Sequence, residues 1–295
     1  MKMTRREFVT RTGCLAAATA VGGAVSAPDD RYAVSQAEID CVTAGRFGEY
    51  LKTGNDFGEP ALKRLEAAFD KVLSEVKSTA VPCRPAVWLV YNMGLIVKTP
   101  KTCFSVDLMH RRAAEMAPFL DFALITHNHG DHFTESFYRA MNGAGKTVIS
   151  NFKDNYGVAD RVKQGGYTRA EKTFGINDVT IRTSLADHNE YLVDFTTAFE
   201  IAVGDFVLFH SGDCSNLSKL RPQCKRPDLW IVHPRCGTKV AEGVRKINPK
   251  TTVIAHLNEL GHDQWRWSWT DGLDEKRKVE QSGRAAVVPL WGERV

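Results

Sequence analysis

Apolar residues recur in two rhythms along this chain. Between residues 60 and 76 they fall at Leu62, Leu65, Ala68, Phe69, Val72, Leu73 and Val76, a three-and-four spacing that puts them on one face of a helix. Gln36 to Phe47 reads as a shorter helix before it, so residues 28–83 are expected to form a helical amino-terminal extension packed on the main domain. From Ala86 the rhythm changes to short β-branched and aromatic runs: Val87–Val90, Leu95–Val97 and Cys103–Asp107, with Thr99-Pro100-Lys101 as turn chemistry. Helices are predicted over Arg112–Phe119, Glu135–Met141, Lys239–Lys246 and Asp274–Gln281, with several strands from Lys146 to His233 and a last strand over Ala285–Leu290. No short-period repeat or low-complexity tract interrupts this order. Mixed strands with intervening helices imply an α/β protein of two packed sheets covered by helices.

The chemistry is concentrated where one apolar run stops. Phe122-Ala123-Leu124-Ile125 is followed at once by Thr126-His127-Asn128-His129-Gly130-Asp131-His132, three imidazoles and a carboxylate in a single turn. Neutral imidazole and carboxylate are ligands that Zn²⁺, Fe²⁺ and Mn²⁺ accept, and this order offers side chains to two neighbouring ions. Three further candidates each close a β-rich run: His188 after Val179–Arg182, Asp213 after Phe206–Phe209, and His256 after Thr252–Ala255. All are expected along one edge of the sheets, where ligands gather in layered α/β folds.

The His-x-His-x-Asp-His turn with later His188, Asp213 and His256 resembles the signature of the metallo-β-lactamase superfamily, over about residues 84–295. The resemblance implies a four-layer αββα sandwich and a dinuclear centre. By it, His127, His129 and His188 hold the first ion, Asp131, His132 and His256 the second, and Asp213 bridges both. A shared carboxylate has its own physical reason, since two dications about 3.5–4 Å apart repel and need negative charge between them. Zn²⁺ is the first expectation, with Mn²⁺ and Fe²⁺ as alternatives.

Two ions sharing a water bring its pKa near neutrality, so a metal-bridging hydroxide is the expected nucleophile and hydrolysis of a small ester, lactone or phosphodiester the expected reaction. The alternative is a metal-binding scaffold or interaction protein without turnover. Departures from particular branches narrow the resemblance. The β-lactamases lack an aspartate at the bridging position, which Asp213 fills here, and the acyl-homoserine lactonases carry a tyrosine where this chain has Asn216. Diiron oxidases of the fold usually exchange one histidine for glutamate, and this chain keeps every histidine. The nearest likeness is to the group that includes the L-ascorbate-6-phosphate lactonase.

Asp131, His233 and His262 are the candidate catalytic side chains, Asp131 doubling as a ligand. His233 ends the Leu229–Val232 run and His262 lies six residues past His256, so either is placed to give the leaving group a proton or to bind substrate. Arg235 is a candidate for pairing an anion, and alternating Trp265, Trp267 and Trp269 for an apolar wall. His210 is expected to back the ligands and His110 to be exposed.

At 295 residues and 43% hydrophobic, the chain is long enough for one large core. Its net charge is +4, of which residues 1–27 carry +3, which leaves no basic stripe for nucleic acid. Those residues, with Arg5-Arg6, an apolar stretch too short to span a bilayer and a small-residue end at Ala24–Ala27, look like a twin-arginine export signal. The expected partners are therefore that export machinery and a small-molecule substrate. The mature chain is expected in the periplasm or otherwise outside the cytoplasm, with no transmembrane segment. Six cysteines follow the signal, none in Cys-x-x-Cys spacing, and their pairing is left open together with the oligomeric state.

Overall fold

A computed structural model describes residues 36–150, 171–235 and 240–295, all within the compact unit Tyr32–Val295. The export-signal reading of residues 1–27 lies outside the described residues. No helix among the described residues is long and apolar enough to cross a membrane.

Two sheets carry the architecture. The first is built from β1 (Ala86–Tyr91), β2 (Gly94–Lys98), β3 (Cys103–Val106), β4 (Phe122–Ile125) and β5 (Thr147–Ser150), paired in that order. Its first two pairings are antiparallel and its last two parallel. The second comprises β6 (Thr173–Ile176), β7 (Val179–Ala186), β8 (Thr196–Val203), β9 (Phe206–His210), β10 (Leu229–Val232), β11 (Thr251–Ile254) and β12 (Ala285–Val287), again in chain order from one edge to the other. It is antiparallel from β6 to β9 and parallel from there to β12.

Successive residues of these strands bury opposite faces. Val87, Leu89, Phe104, Phe122 and Leu124 of the first sheet share one core with Ile181, Phe199, Ile201, Leu208, Ile231 and Val253 of the second. Their neighbours Trp88, Val90, Ala123, Ile125, Trp230, Val232 and Ile254 belong to the outer core shared with the helices. Burial on both faces is why the strands read as continuous apolar runs, and it makes the four layers of an αββα sandwich.

Helices α1 (Ala44–Thr53) and α2 (Pro60–Ser78) precede the sheets. α2 packs on β1 and buries Leu62, Leu65, Ala68, Phe69, Val72 and Val76, the face that the spacing predicts. The single helix expected over Gln36–Phe47 is instead broken: residues 36–40 make a helical turn, and the Thr43 hydroxyl accepts from Arg46 N at 3.2 Å to start α1 afresh. α3 (Glu135–Gly143) packs on β5, while α4 (Val240–Ile247) and α5 (Trp269–Gln281) pack on each other, with α5 also on β11 and β12. α5 starts five residues earlier than the sequence suggests, because Ser268 and Asp271 form a reciprocal capping box. The tryptophan alternation is thus no strand, since Trp269 is buried at the head of this helix. β12 stops at Val287, short of the expected Leu290.

His110 is the other correction. It is fully buried, not exposed, stacked on Phe69 with ring centroids 4.2 Å apart.

Candidate metal centre

β4, β7, β9 and β11 all run out at one edge, and the polypeptide just past each supplies the polar side chains gathered there. Beyond β4 the turn His127–His132 closes on itself through His132 N donating to His129 O at 3.1 Å. Ligand-type atoms of His127, His129 and His188 lie within 4.8 Å of one another, and those of Asp131, His132, Asp213 and His256 form a second such group. The structure thus brings all seven predicted residues together, in two groups.

Asp213 joins the groups. Its Oδ2 lies 3.1 Å from His256 Nε2 and 3.3 Å from His132 Nε2, and also 3.6 Å from His188 Nε2 and 3.8 Å from His127 Nε2. Asp131 Oδ2 is 3.3 Å from both His132 Nε2 and His256 Nε2. Although so close, His132 Nε2, His256 Nε2 and Asp213 Oδ1 are buried without a hydrogen-bond partner. Buried polar atoms without partners are costly, and here they converge on shared space. Donor atoms about 2.0–2.1 Å from a tetrahedral ion lie about 3.3 Å from each other, which is the spacing around His132 and His256. The residues present therefore fit two divalent cations.

Backbone strain and close packing hold the donors. His256 has φ +59°, a left-handed conformation rare for histidine, and its amide donates to Asn92 O at 3.0 Å. Asn92, in the β1–β2 turn, also donates from Nδ2 to Asp131 Oδ2 at 3.1 Å. Gly212 presents Asp213 with φ +52°, and a Cβ there would sit 2.6 Å from Thr196 Cγ2, so only glycine fits.

Asp107 is the functional side chain that sequence reasoning missed. Fully buried past the end of β3, it accepts from Thr126 N and Thr126 Oγ1, each at 2.7 Å, and lies 2.9 Å from His132 Nδ1. An imidazole donating from Nδ1 to a carboxylate has its Nε2 free for a metal. The signal was present as an aspartate closing an apolar strand. Asn216 likewise donates to Asp187 Oδ2 at 2.8 Å, tying the His188 loop to the Asp213 loop.

On the protein's own charges the cluster holds protons between its carboxylates. For Asp131 and Asp213, burial favours the neutral acid, but neighbouring His132 and His256 override it and hold both carboxyls well below the usual range. Burial opposes a charge on His256 too, yet Asp213 and Asp131 push it up to about 10, and His132 rises for the same reason. His127, His129 and His188 are shifted down, chiefly by burial, to the neutral form a ligand needs. Metal binding at the second group must therefore expel protons.

A cavity of about 550 Å³ opens on the cluster, bordered by His233, Arg235, His262, Trp265 and Trp267. His233 is shifted down to about 3, first by burial and then by His256, and its ring nitrogens face Trp267 Nε1 at 3.1 Å and Arg235 N at 3.0 Å, both N–H donors. Neutral imidazole can accept only one of these two N–H groups, and a ring whose pKa burial lowers this far is poorly suited to the proton-donor role. His262 is the opposite case: its Nδ1 lies 2.6 Å from the buried Glu259 carboxylate, and this hydrogen bond raises its pKa. Arg235 lies over the Trp267 ring at 4.4 Å. His210 is buried behind Asp213, its Nδ1 accepting from Gly212 N at 3.2 Å. Cys214 borders the cavity; Cys41, Cys83, Cys103 and Cys224 are free thiols, and Cys236 lies outside the described residues.

No protein-family model matches the chain, and no curated protein matches it in sequence. Solved structures do match. Igni18, a metallo hydrolase from Ignicoccus hospitalis, is 16% identical with a TM-score of 0.54 over 72% of this chain and 97% of its own. The metallo-β-lactamase fold protein YhfI from Bacillus subtilis is 13% identical, with a TM-score of 0.53 over 72% of this chain and 98% of its own. CmlA, a diiron β-hydroxylase from Streptomyces venezuelae, is 14% identical at a TM-score of 0.54 over 73% of this chain, which spans 54% of CmlA. The chain has the metallo-β-lactamase fold.

Proposed function

We propose that this protein is a dinuclear metal-dependent hydrolase acting on a small ester, lactone or phosphodiester. The observation that carries the reading is Asp213 Oδ2, set within 3.8 Å of imidazole nitrogens from both ligand groups and itself buried. His127, His129 and His188 would hold one ion and Asp131, His132 and His256 the other, with Asp213 within reach of both groups. When bound, the two ions supply a water of low pKa and positive charge for the developing oxyanion.

The chain's residues supply the rest. Asp107 fixes His132, and Asn92 fixes both Asp131 and the His256 backbone, so the donors need no rearrangement when an ion enters. His262, whose pKa the Glu259 hydrogen bond raises, is the residue placed to give a proton to the leaving atom through Nε2, the nitrogen that Glu259 does not occupy. His233 holds the Trp267 indole and so shapes the cavity wall. Arg235, exposed at the mouth beside Trp267, favours an anionic substrate. A ligand set of five histidines and two aspartates, with no glutamate among its seven members, favours hydrolysis over the hydroxylation named for CmlA.

Elemental analysis of the reconstituted protein should find two divalent ions per chain, with Zn²⁺ the first expectation. A panel of an ester, a lactone, a thioester and a phosphodiester then finds the reaction. Fully metallated protein that turns over none of them removes the hydrolase reading and leaves the metal-binding scaffold. Export by the twin-arginine route is part of the same proposal. It predicts that Arg5→Lys with Arg6→Lys retains the precursor in the cytoplasm, as read by cell fractionation.

A further inference from the structure

α1 runs beside the motif turn and closes a second cavity of about 390 Å³. One wall is carbon: Ala44, Phe47, Gly48 and Leu51 of α1, with Met109. The other wall includes His129, Asp131 and His262, which also border the 550 Å³ cavity. The two cavities thus share three residues at the edge of the metal centre; the first is otherwise edged by Arg235 and tryptophans, the second by the carbon wall of α1 and, on its far side, by Glu259. A volume of this size is that of a ligand pocket rather than a packing defect.

α1 is fixed in place relative to the centre. Ala44 N donates to Asp263 Oδ1 at 2.8 Å, and Arg266 donates to Ile39 O at 3.1 Å and to Val42 O at 2.8 Å. These bonds tie the start of α1 to the loop that carries His262. The cavity stays open at Gly48, where a Cβ would meet no atom within 4 Å.

We propose that this cavity is the subsite for an alkyl arm of the substrate, a straight acyl chain attached to the carbonyl group held at the metal centre. The inference rests on the hydrolase reading and assigns it a substrate class: apolar on the α1 side, polar or anionic on the Arg235 side. Water along the carbon wall of α1 has few partners, so each methylene that displaces it there adds affinity.

Straight-chain carboxylates from acetate to octanoate are the probes, titrated calorimetrically into the metal-loaded protein. Affinity should tighten about fourfold per methylene until the cavity is filled. Gly48→Leu puts an isobutyl group into the open space, and leucine is the better helix former, so the helix should survive. In that variant the chain-length gradient should flatten, and octanoate should bind at least about tenfold more weakly than to the wild type. Gly45→Leu, at an exposed site on the same helix with nothing within 4 Å, should keep the full gradient. A gradient equally steep in Gly48→Leu, or absent from the wild type while acetate binds, overturns the subsite and leaves the metal centre standing. Two bound metals with no carboxylate binding at any length overturn the subsite, while the hydrolase reading stands or falls separately on turnover.

Discussion

Two polar clusters in this molecule, one half-buried and one buried, follow opposite rules. Beneath α2, Glu66 accepts from Tyr50 Oη at 2.6 Å and from Arg112 Nη1 at 3.1 Å, and it also accepts from Arg111. Arg112 reaches Asp70 and Glu115 as well, and its amide donates to His110 Nδ1 at 3.1 Å. No buried nitrogen or oxygen of Tyr50, Glu66 or His110 is left without a partner. At the strand ends the reverse holds: His132, His256 and Asp213 have well-placed supports behind them and unpaired atoms in front. A polar cluster that completes itself is architecture, and one completed only by something added is a site. Both combine carboxylates with histidine, so the presence of such residues does not distinguish them, whereas hydrogen-bond satisfaction does.

The sharpest way to break the comparison is Asp213→Ala. It removes the atom shared by both ligand groups, and activity should fall on the order of a thousandfold or more. Elemental analysis should show both ions lost or depleted. Retention of two ions would refute the bridging role.

His110 gives the next effect, in stability rather than chemistry. Burial lowers its pKa to about 4. The unfolded chain then takes up a proton near pH 6.5 that the folded chain refuses, so stability should fall as pH drops below about 6.5 and level off below about 4. The loss is about 3 kcal/mol at most. Urea titrations across that range should show a shallower slope for His110→Gln, and equal slopes would show that His110 is not the group responsible.

Asp107→Ala tests the support behind the ligands. Metal affinity, measured by chelator competition, should weaken about 10–100-fold. The smallest effect belongs to Tyr50→Phe, which should lower stability by about 1.5 kcal/mol in chemical unfolding and leave metal content unchanged. If Tyr50→Phe altered metal content, or Asp107→Ala left metal affinity unchanged, the division between a closed cluster and an open one would be wrong.

Legibility in the sequence followed the range of the interactions involved. The seven candidate ligands were readable because each lies within a few residues of the end of an apolar run, and strand ends meet at one edge whatever their order in the chain. α2 was readable because seven apolar positions share one helical face. α5 was misjudged at its start, since the Ser268–Asp271 capping box decided the conformation of tryptophans that alternate like a strand. His110 was misplaced because nothing local records that Phe69, forty-one positions earlier in the numbering, would cover its ring.

What the sequence determined by itself is the donor set and its order, because a ligand's type and its place after a strand are local properties. Tertiary structure alone decided which atoms stay unpaired. Asp107 reaches His132 across two parallel strands, Asn92 reaches Asp131 from a turn in the first sheet, and α1 comes to lie beside His262 through the bonds of Arg266. Such contacts join positions far apart in the chain by packing, and packing leaves no periodicity to read.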